Sequence, residues 1–78
     1  MPHVIVKLWP GRSEPQKQKL VESVTKAVTT SLGYSDEAVS VSLQEVPSDQ
    51  WTEKVYRPDI LGTAGRLYKK PGYRPDDL

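Results

Sequence analysis

The amino terminus carries the residue with the clearest potential for chemistry, a proline directly after the initiator methionine. A small second residue permits removal of the methionine in cells, and the chain then begins with the secondary amine of Pro2. An α-amino group has an unperturbed pKa of about 7.7–8.0. Burial and nearby cations lower this pKa because both disfavour the protonated form. An amine that is neutral near pH 7 is well suited to act as a general base, so Pro2 is the candidate catalytic residue.

Two further side chains have the chemistry to hold a substrate against such a base. Arg12 follows the first predicted strand, and its guanidinium fork can bind a carboxylate through two parallel hydrogen bonds. Trp51 is a candidate for the apolar wall of a pocket. Each residue also has an ordinary structural interpretation, Arg12 as a solvated residue before a helix and Trp51 as part of the core. His3 is interpreted as a strand-surface residue.

The elements that position these residues form a predicted β-α-β unit. Residues 2–9 and residues 39–46 alternate apolar and polar side chains, which predicts two strands. Between them, Ser13 with Gln16 three residues later is typical of a helix start, and Gly33 is typical of a helix end. Two strands joined through a helix are expected to be parallel.

The last third of the chain predicts a turn, a second helix and a tail. Residues 48–51 fit a capped turn, and the helix is expected to begin at Pro58 and to end at Lys70, before Pro71 and Gly72. Residues 73–78 are predicted to be flexible. The predicted fold class is therefore α/β (α+β), a single domain over residues 1–78 with one β-α-β unit and a C-terminal helix.

The size of the chain predicts self-association. A domain of 78 residues buries only roughly 60–65% of its unfolded surface. The chain has no cysteine and only one histidine, His3, which excludes disulfides, thiolate zinc sites, iron–sulfur clusters and multi-histidine metal sites. A two-stranded sheet is also too small to be stable alone. We therefore expect dimerisation to complete the sheet.

Charge and hydropathy narrow the classes of partner. Eleven Lys and Arg against ten Asp and Glu give a net charge of +1, which is no global signature of nucleic-acid or membrane binding. No apolar run has the length of a signal-peptide core or a membrane span. We expect a cytoplasmic protein without nucleic-acid or membrane partners. One alternative remains open, because a C-terminal set of basic and aromatic residues could bind single-stranded nucleic acid: Lys54, Tyr56, Arg57, Arg66, Tyr68, Lys69, Lys70, Tyr73 and Arg74.

The order of these motifs resembles the 4-oxalocrotonate tautomerase family. The resemblance covers roughly residues 2–51 and rests on the Met-Pro start, the Gly-Arg-Ser-Glu-Pro-Gln-Lys segment at residues 11–17 and the Ser-Val-x-Leu strand from Ser40. Residues 69–73, Lys-Lys-Pro-Gly-Tyr, resemble a longer branch of enol-pyruvate tautomerases that assemble as dimers. The shorter members assemble as hexamers, which are trimers of dimers.

The resemblance implies a keto–enol tautomerase that needs no cofactor or metal. Pro2 corresponds to the catalytic base, Arg12 to an arginine that binds the substrate carboxylate, and Trp51 to an aromatic residue that lines the site. Ser40 stands where the shorter members carry a second arginine, which polarises the keto group. The resemblance therefore implies a mono-acid substrate, such as an aryl enol-pyruvate.

Other functions stay open at this stage. Relatives on the same fold act as hydratases, dehalogenases or decarboxylases with a protonated proline as acid, and a carboxylate then activates water. Glu45, Asp49 and Glu53 are the available carboxylates. A structural dimer without chemistry is the third possibility.

Overall fold

The computed structural model describes residues 1–78 and begins with the predicted β-α-β unit. Strand β1 is His3–Leu8, helix α1 is Glu14–Leu32 and strand β2 is Ser40–Glu45. The two strands are parallel, with His3 opposite Ser40 at one end and Leu8 opposite Glu45 at the other. The predicted fold class and strand direction are thereby confirmed, and each strand is slightly shorter than predicted.

Both predicted ends of helix α1 are confirmed. The Ser13 hydroxyl accepts the Gln16 N–H at 3.3 Å, and the Gln16 side chain accepts the Ser13 N–H at 3.0 Å. These reciprocal bonds satisfy two N–H groups that the helix itself leaves unpaired. Gly33 has φ of 76°, a left-handed conformation that costs glycine little because it has no Cβ, and it ends the helix.

Helix α1 covers one face of the sheet. Val4, Val6 and Leu8 are half-buried, whereas the alternate residues His3 and Ile5 are exposed. At the carboxyl end of the sheet, the Lys17 ammonium lies 3.0 Å from Glu14 and 3.4 Å from Glu45. The hydrogen bond to Glu14 raises the pKa of Lys17 above its ordinary value, with the charges of both carboxylates adding to the effect. Lys17 therefore links the first turn of α1 to the end of β2.

The C-terminal helical segment, residues 48–63, differs from the prediction. It consists of a 3-10 turn at Ser48–Gln50, a π-helix at Thr52–Ile60 and a 3-10 turn at Leu61–Thr63. The helix predicted from Pro58 to Lys70 is therefore wrong in its position. Pro58 lies inside the segment, where it cannot donate a backbone hydrogen bond.

The C-terminal helical segment partly covers the face of the sheet opposite α1. Lys7 of β1 forms an ion pair with Asp59 at 2.5 Å, and Val55, the only buried residue, lies near Ile5. These contacts cover part of this face within one chain. The tail contains a 3-10 turn at Pro75–Asp77, and its flexibility stays a prediction.

A single chain leaves much of its apolar surface exposed. Only one of 78 residues is buried, and both strands keep an unpaired outer edge because the sheet has two strands. Several large apolar side chains remain open to solvent: Ile5, Trp9, Leu32, Leu61 and Tyr68. Such a surface favours association with another copy. None of the helices combines the length and the apolar composition needed to cross a membrane.

Candidate active site

Pro2 lies at the amino end of the sheet, directly before β1. Its ring is half-buried, and its carbonyl oxygen accepts the backbone N–H of Ser40 at 3.2 Å. Met1 is 91% exposed, so its loss removes almost no packing. Methionine removal at this position therefore leaves a secondary amine at the start of a strand that hydrogen bonds already hold in place.

Ser40 lies beside Pro2 through the strand pairing. The side chain of Ser40 is exposed, and its hydroxyl oxygen is 2.7 Å from Nδ1 of His3, its partner across the two strands. Sequence reasoning singled out Ser40 from the resemblance but missed its bond to His3. The register of the two strands creates this contact, and the register is not visible in either strand alone.

Arg12 lies beyond the opposite end of β1. Six residues of strand separate Pro2 from the carboxyl end of β1, which corresponds to roughly 20 Å at about 3.3 Å per residue. Arg12 follows Gly11, whose φ of 115° is a conformation that glycine adopts at little cost. The guanidinium is exposed and makes no hydrogen bond or ion pair within the chain, so its fork is free to bind an anion.

Trp51 lies at this same carboxyl end of the sheet. Its ring is nearly perpendicular to that of Trp9, with centroids 6.5 Å apart, and its indole N–H donates to the Tyr73 hydroxyl at 2.9 Å. Together with Leu78, these three aromatic rings line a cleft of about 250 Å³. Trp51 therefore forms an apolar wall at the end of the sheet where Arg12 emerges.

Removing the Tyr73 hydroxyl tests whether this wall depends on the tail. We expect Tyr73→Phe to lower the free energy of unfolding by about 1 kcal/mol, because the half-buried Trp51 N–H loses its partner. Urea unfolding at fixed protein concentration measures this change. Tyr34→Phe is the matched control, since the Tyr34 ring is exposed and its hydroxyl makes no hydrogen bond. Equal stabilities of the two variants would contradict the prediction.

The four predicted site residues form two groups in one chain. Pro2 and Ser40 lie at the amino end of the sheet, and Arg12 and Trp51 lie at the carboxyl end. The roughly 20 Å length of β1 separates the candidate base from the candidate carboxylate anchor, which is farther than a small substrate reaches. A site that contains all four residues therefore needs a second copy of the chain.

Two carboxylates considered for the alternative chemistry are engaged elsewhere. Glu45 pairs with Lys17 at 3.4 Å, and Glu53 pairs with Arg57 at 3.2 Å. In the basic and aromatic C-terminal set, Tyr56 packs against Tyr73 with ring centroids 5.8 Å apart.

Comparison with known proteins agrees with the resemblance seen in the sequence. A family model described as tautomerase enzyme matches residues 2–55. A probable tautomerase from Xylella fastidiosa is 45% identical over 73 residues, which cover 94% of this chain and 89% of that protein. Tautomerase PptA from Pectobacterium carotovorum is 38% identical over 74 residues, covering 94% of this chain and 97% of that protein.

Solved structures give the same result. YwhB, a homologue of 4-oxalocrotonate tautomerase, superposes with a TM-score of 0.62 at 32% identity, over 99% of this chain and 98% of its own. TomN, a homologue from the tomaymycin biosynthetic pathway, has a TM-score of 0.63 at 38% identity, over 64% of this chain and 77% of its own. The chain belongs to the 4-oxalocrotonate tautomerase family of the tautomerase superfamily, as predicted, and this membership supports tautomerase activity.

Proposed function

We propose that this protein is a cofactor-independent keto–enol tautomerase that acts on a small 2-keto acid or its enol, such as an aryl enol-pyruvate. The observation that carries the proposal is the position of Pro2. It is held at the start of β1 by the Ser40 N–H, and the preceding Met1 is almost fully exposed. Removal of Met1 converts the Pro2 nitrogen from an amide, which cannot accept a proton, into an amine, which can.

The proposed reaction is a proton transfer between an oxygen and a carbon of one molecule. The neutral amine of Pro2 takes the proton from the enol hydroxyl, and the ammonium that forms returns it to the adjacent carbon of the enol double bond. The enol oxygen becomes the keto oxygen, and the amine is regenerated neutral. A positioned general base of this kind typically contributes about 10²- to 10⁴-fold to the rate.

The remaining residues are proposed to bind and orient the substrate. Arg12 binds its carboxylate through the guanidinium fork, and Trp51 contacts its apolar part and excludes water. Because Pro2 and Arg12 lie at opposite ends of β1, the two residues of one site come from different copies. The homodimer or hexamer that the sequence predicts supplies this arrangement. Ser40, in place of a second arginine, supports a substrate with a single carboxylate.

The proposed function is tested on protein purified from its own cells. We expect an intact mass that lacks one methionine, and a kcat/KM for phenylenolpyruvate that rises with pH to a plateau as the Pro2 amine loses its proton. The sign follows from the chemistry, since only the unprotonated amine can act as a base. The absence of turnover, or retention of Met1, would contradict the proposal. A rate that falls as pH rises would favour the hydratase, dehalogenase or decarboxylase class.

A further inference from the structure

One side-chain hydrogen bond lies directly beside Pro2 and has no evident role in holding the sheet. It joins His3 to Ser40, which are 37 positions apart in the sequence and are both exposed. Backbone hydrogen bonds already hold the two strands together, and the first of them is donated by the Ser40 N–H to the Pro2 carbonyl oxygen. A hydrogen bond between exposed groups adds little stability, because water competes for both partners.

The position of this pair gives it access to a molecule bound at Pro2. Ser40 is one strand spacing, about 4.8 Å, from the start of β1. The Ser40 hydroxyl and the His3 imidazole lie on the face of the sheet opposite α1, which they share with Ile5 and Ser42. In a 2-keto acid the carbon that exchanges its proton and the keto oxygen are only two bonds apart. A substrate that presents this carbon to Pro2 therefore presents its oxygen to the neighbouring strand.

We propose that His3 is a positioning residue for the tautomerase reaction and that it acts through the Ser40 hydroxyl. In this arrangement Nδ1–H of His3 donates to the Ser40 oxygen, and the Ser40 O–H donates to the keto oxygen of the substrate. The inference rests on the proposed function, since it assigns the group that stabilises charge on the substrate oxygen. It also gives Ser40 a partner that the resemblance alone does not.

The number of hydroxyl protons fixes the direction of these bonds. A serine hydroxyl has one proton to donate and can accept from other donors. If Ser40 donated to His3, no proton would remain for the substrate, so the active arrangement needs the proton of His3 on Nδ1. Neither His3 nor Ser40 gains or loses a proton in the reaction. The hydrogen bond from the Ser40 hydroxyl, oriented by His3, stabilises the negative charge that develops on the substrate oxygen when Pro2 removes the enol proton.

The first test measures kcat and KM for phenylenolpyruvate in variants of the methionine-free oligomer. We expect Ser40→Ala to lower kcat about 100-fold, since it removes a donor to the developing oxyanion. His3→Ala is expected to lower kcat about tenfold, which corresponds to one hydrogen bond, with little change in KM. Ser42→Ala is the matched control, because Ser42 lies on the same face of β2 and makes no side-chain hydrogen bond, and it should leave both constants unchanged.

Two conservative variants separate a positioning role from a structural one. Asparagine places its amide nitrogen as many bonds from Cα as Nδ1 of histidine, so His3→Asn should keep most of the wild-type kcat. Glutamine places its amide nitrogen one bond further, so His3→Gln should resemble His3→Ala. In a Ser40→Ala background, His3→Ala should cause less than about a twofold further loss, because the two residues act as one unit.

Three results would overturn the inference. These are an unchanged kcat in His3→Ala, an equal loss in His3→Asn, and a full tenfold loss that persists in the Ser40→Ala background. If any variant fails to assemble, nitrogen NMR of the wild-type imidazole with phenylpyruvate bound decides the question, since the proposal requires a protonated Nδ1. Blocking the Pro2 amine in the wild type tests the proposed function separately. Activity that depends on Pro2 but not on His3 refutes only this inference.

Discussion

Blocking the nitrogen of Pro2 is expected to lower kcat/KM for phenylenolpyruvate by about 10²- to 10⁴-fold, the usual contribution of a general base. The cleanest change inserts one glycine between Met1 and Pro2. Removal of the methionine then leaves glycine at the amino terminus, and the Pro2 nitrogen stays in an amide bond that cannot accept a proton. Because Met1 projects into solvent, the structure has room for the added residue. Intact mass verifies the terminus, and steady-state kinetics measure the loss.

Pro2→Ala provides the matched comparison for this insertion. Alanine is also small enough to permit methionine removal, and it leaves a primary amine at the same position. We expect partial activity, between the wild type and the glycine insertion, because an amine is present but the rigid ring that orients it is lost. Wild-type activity in the glycine insertion would show that the Pro2 amine is not the base.

Removing the guanidinium of Arg12 is expected to lower kcat/KM by about 10- to 100-fold, mainly through a higher KM, because the substrate carboxylate loses charge-assisted hydrogen bonds. Arg12→Lys should fall between Arg12→Ala and the wild type, since lysine keeps the charge but not the fork. The control is Arg66→Ala, which removes another exposed arginine that makes no ion pair. A similar loss in Arg66→Ala would indicate that overall charge, and not a specific contact, accounts for the effect.

Mixing two proteins of low kcat/KM tests whether each site combines two copies. Chains with the glycine insertion keep Arg12, and Arg12→Ala chains keep Pro2, so random mixed oligomers should reach about a quarter of the wild-type kcat/KM in a symmetric assembly. Half of the chains carry an intact base and the other half carry an intact anchor. Because a site needs both, and takes them from different chains, about one site in four is complete. The proteins are unfolded, mixed and refolded together, and each is refolded alone as a control. No recovery in oligomers that mass spectrometry shows to be mixed would place Pro2 and Arg12 of each site in the same chain.

The local signals of the β-α-β unit were sufficient to predict it. The alternation of residues 2–9 and 39–46 predicted both strands, and the Ser13–Gln16 spacing with Gly33 predicted both ends of α1. Each of these signals acts over a few neighbouring residues, through side-chain alternation, reciprocal capping bonds or a left-handed φ. Tertiary contacts did not need to override them.

The C-terminal helical segment shows where local signals failed. Pro58 suggested a helix start, but in the structure it lies within a π-helix that begins at Thr52 and follows the turn at Ser48–Gln50. Packing of Val55 near Ile5 and the ion pair between Asp59 and Lys7 place this segment on the sheet. Those partners lie about 50 positions away in the sequence, so neighbouring residues carry no signal of them.

The sequence by itself determined the two strands, the capped helix and the family, because these depend on residue types at short, fixed spacings. Only the tertiary structure decided how the candidate residues are grouped. Parallel pairing brings Ser40 to Pro2 and His3, whereas β1, roughly 20 Å long, separates them from the end of the sheet that carries Trp51 and is followed by Arg12. Register and strand length act across the fold, and for that reason the proposal that each site combines two copies could come only from the tertiary structure.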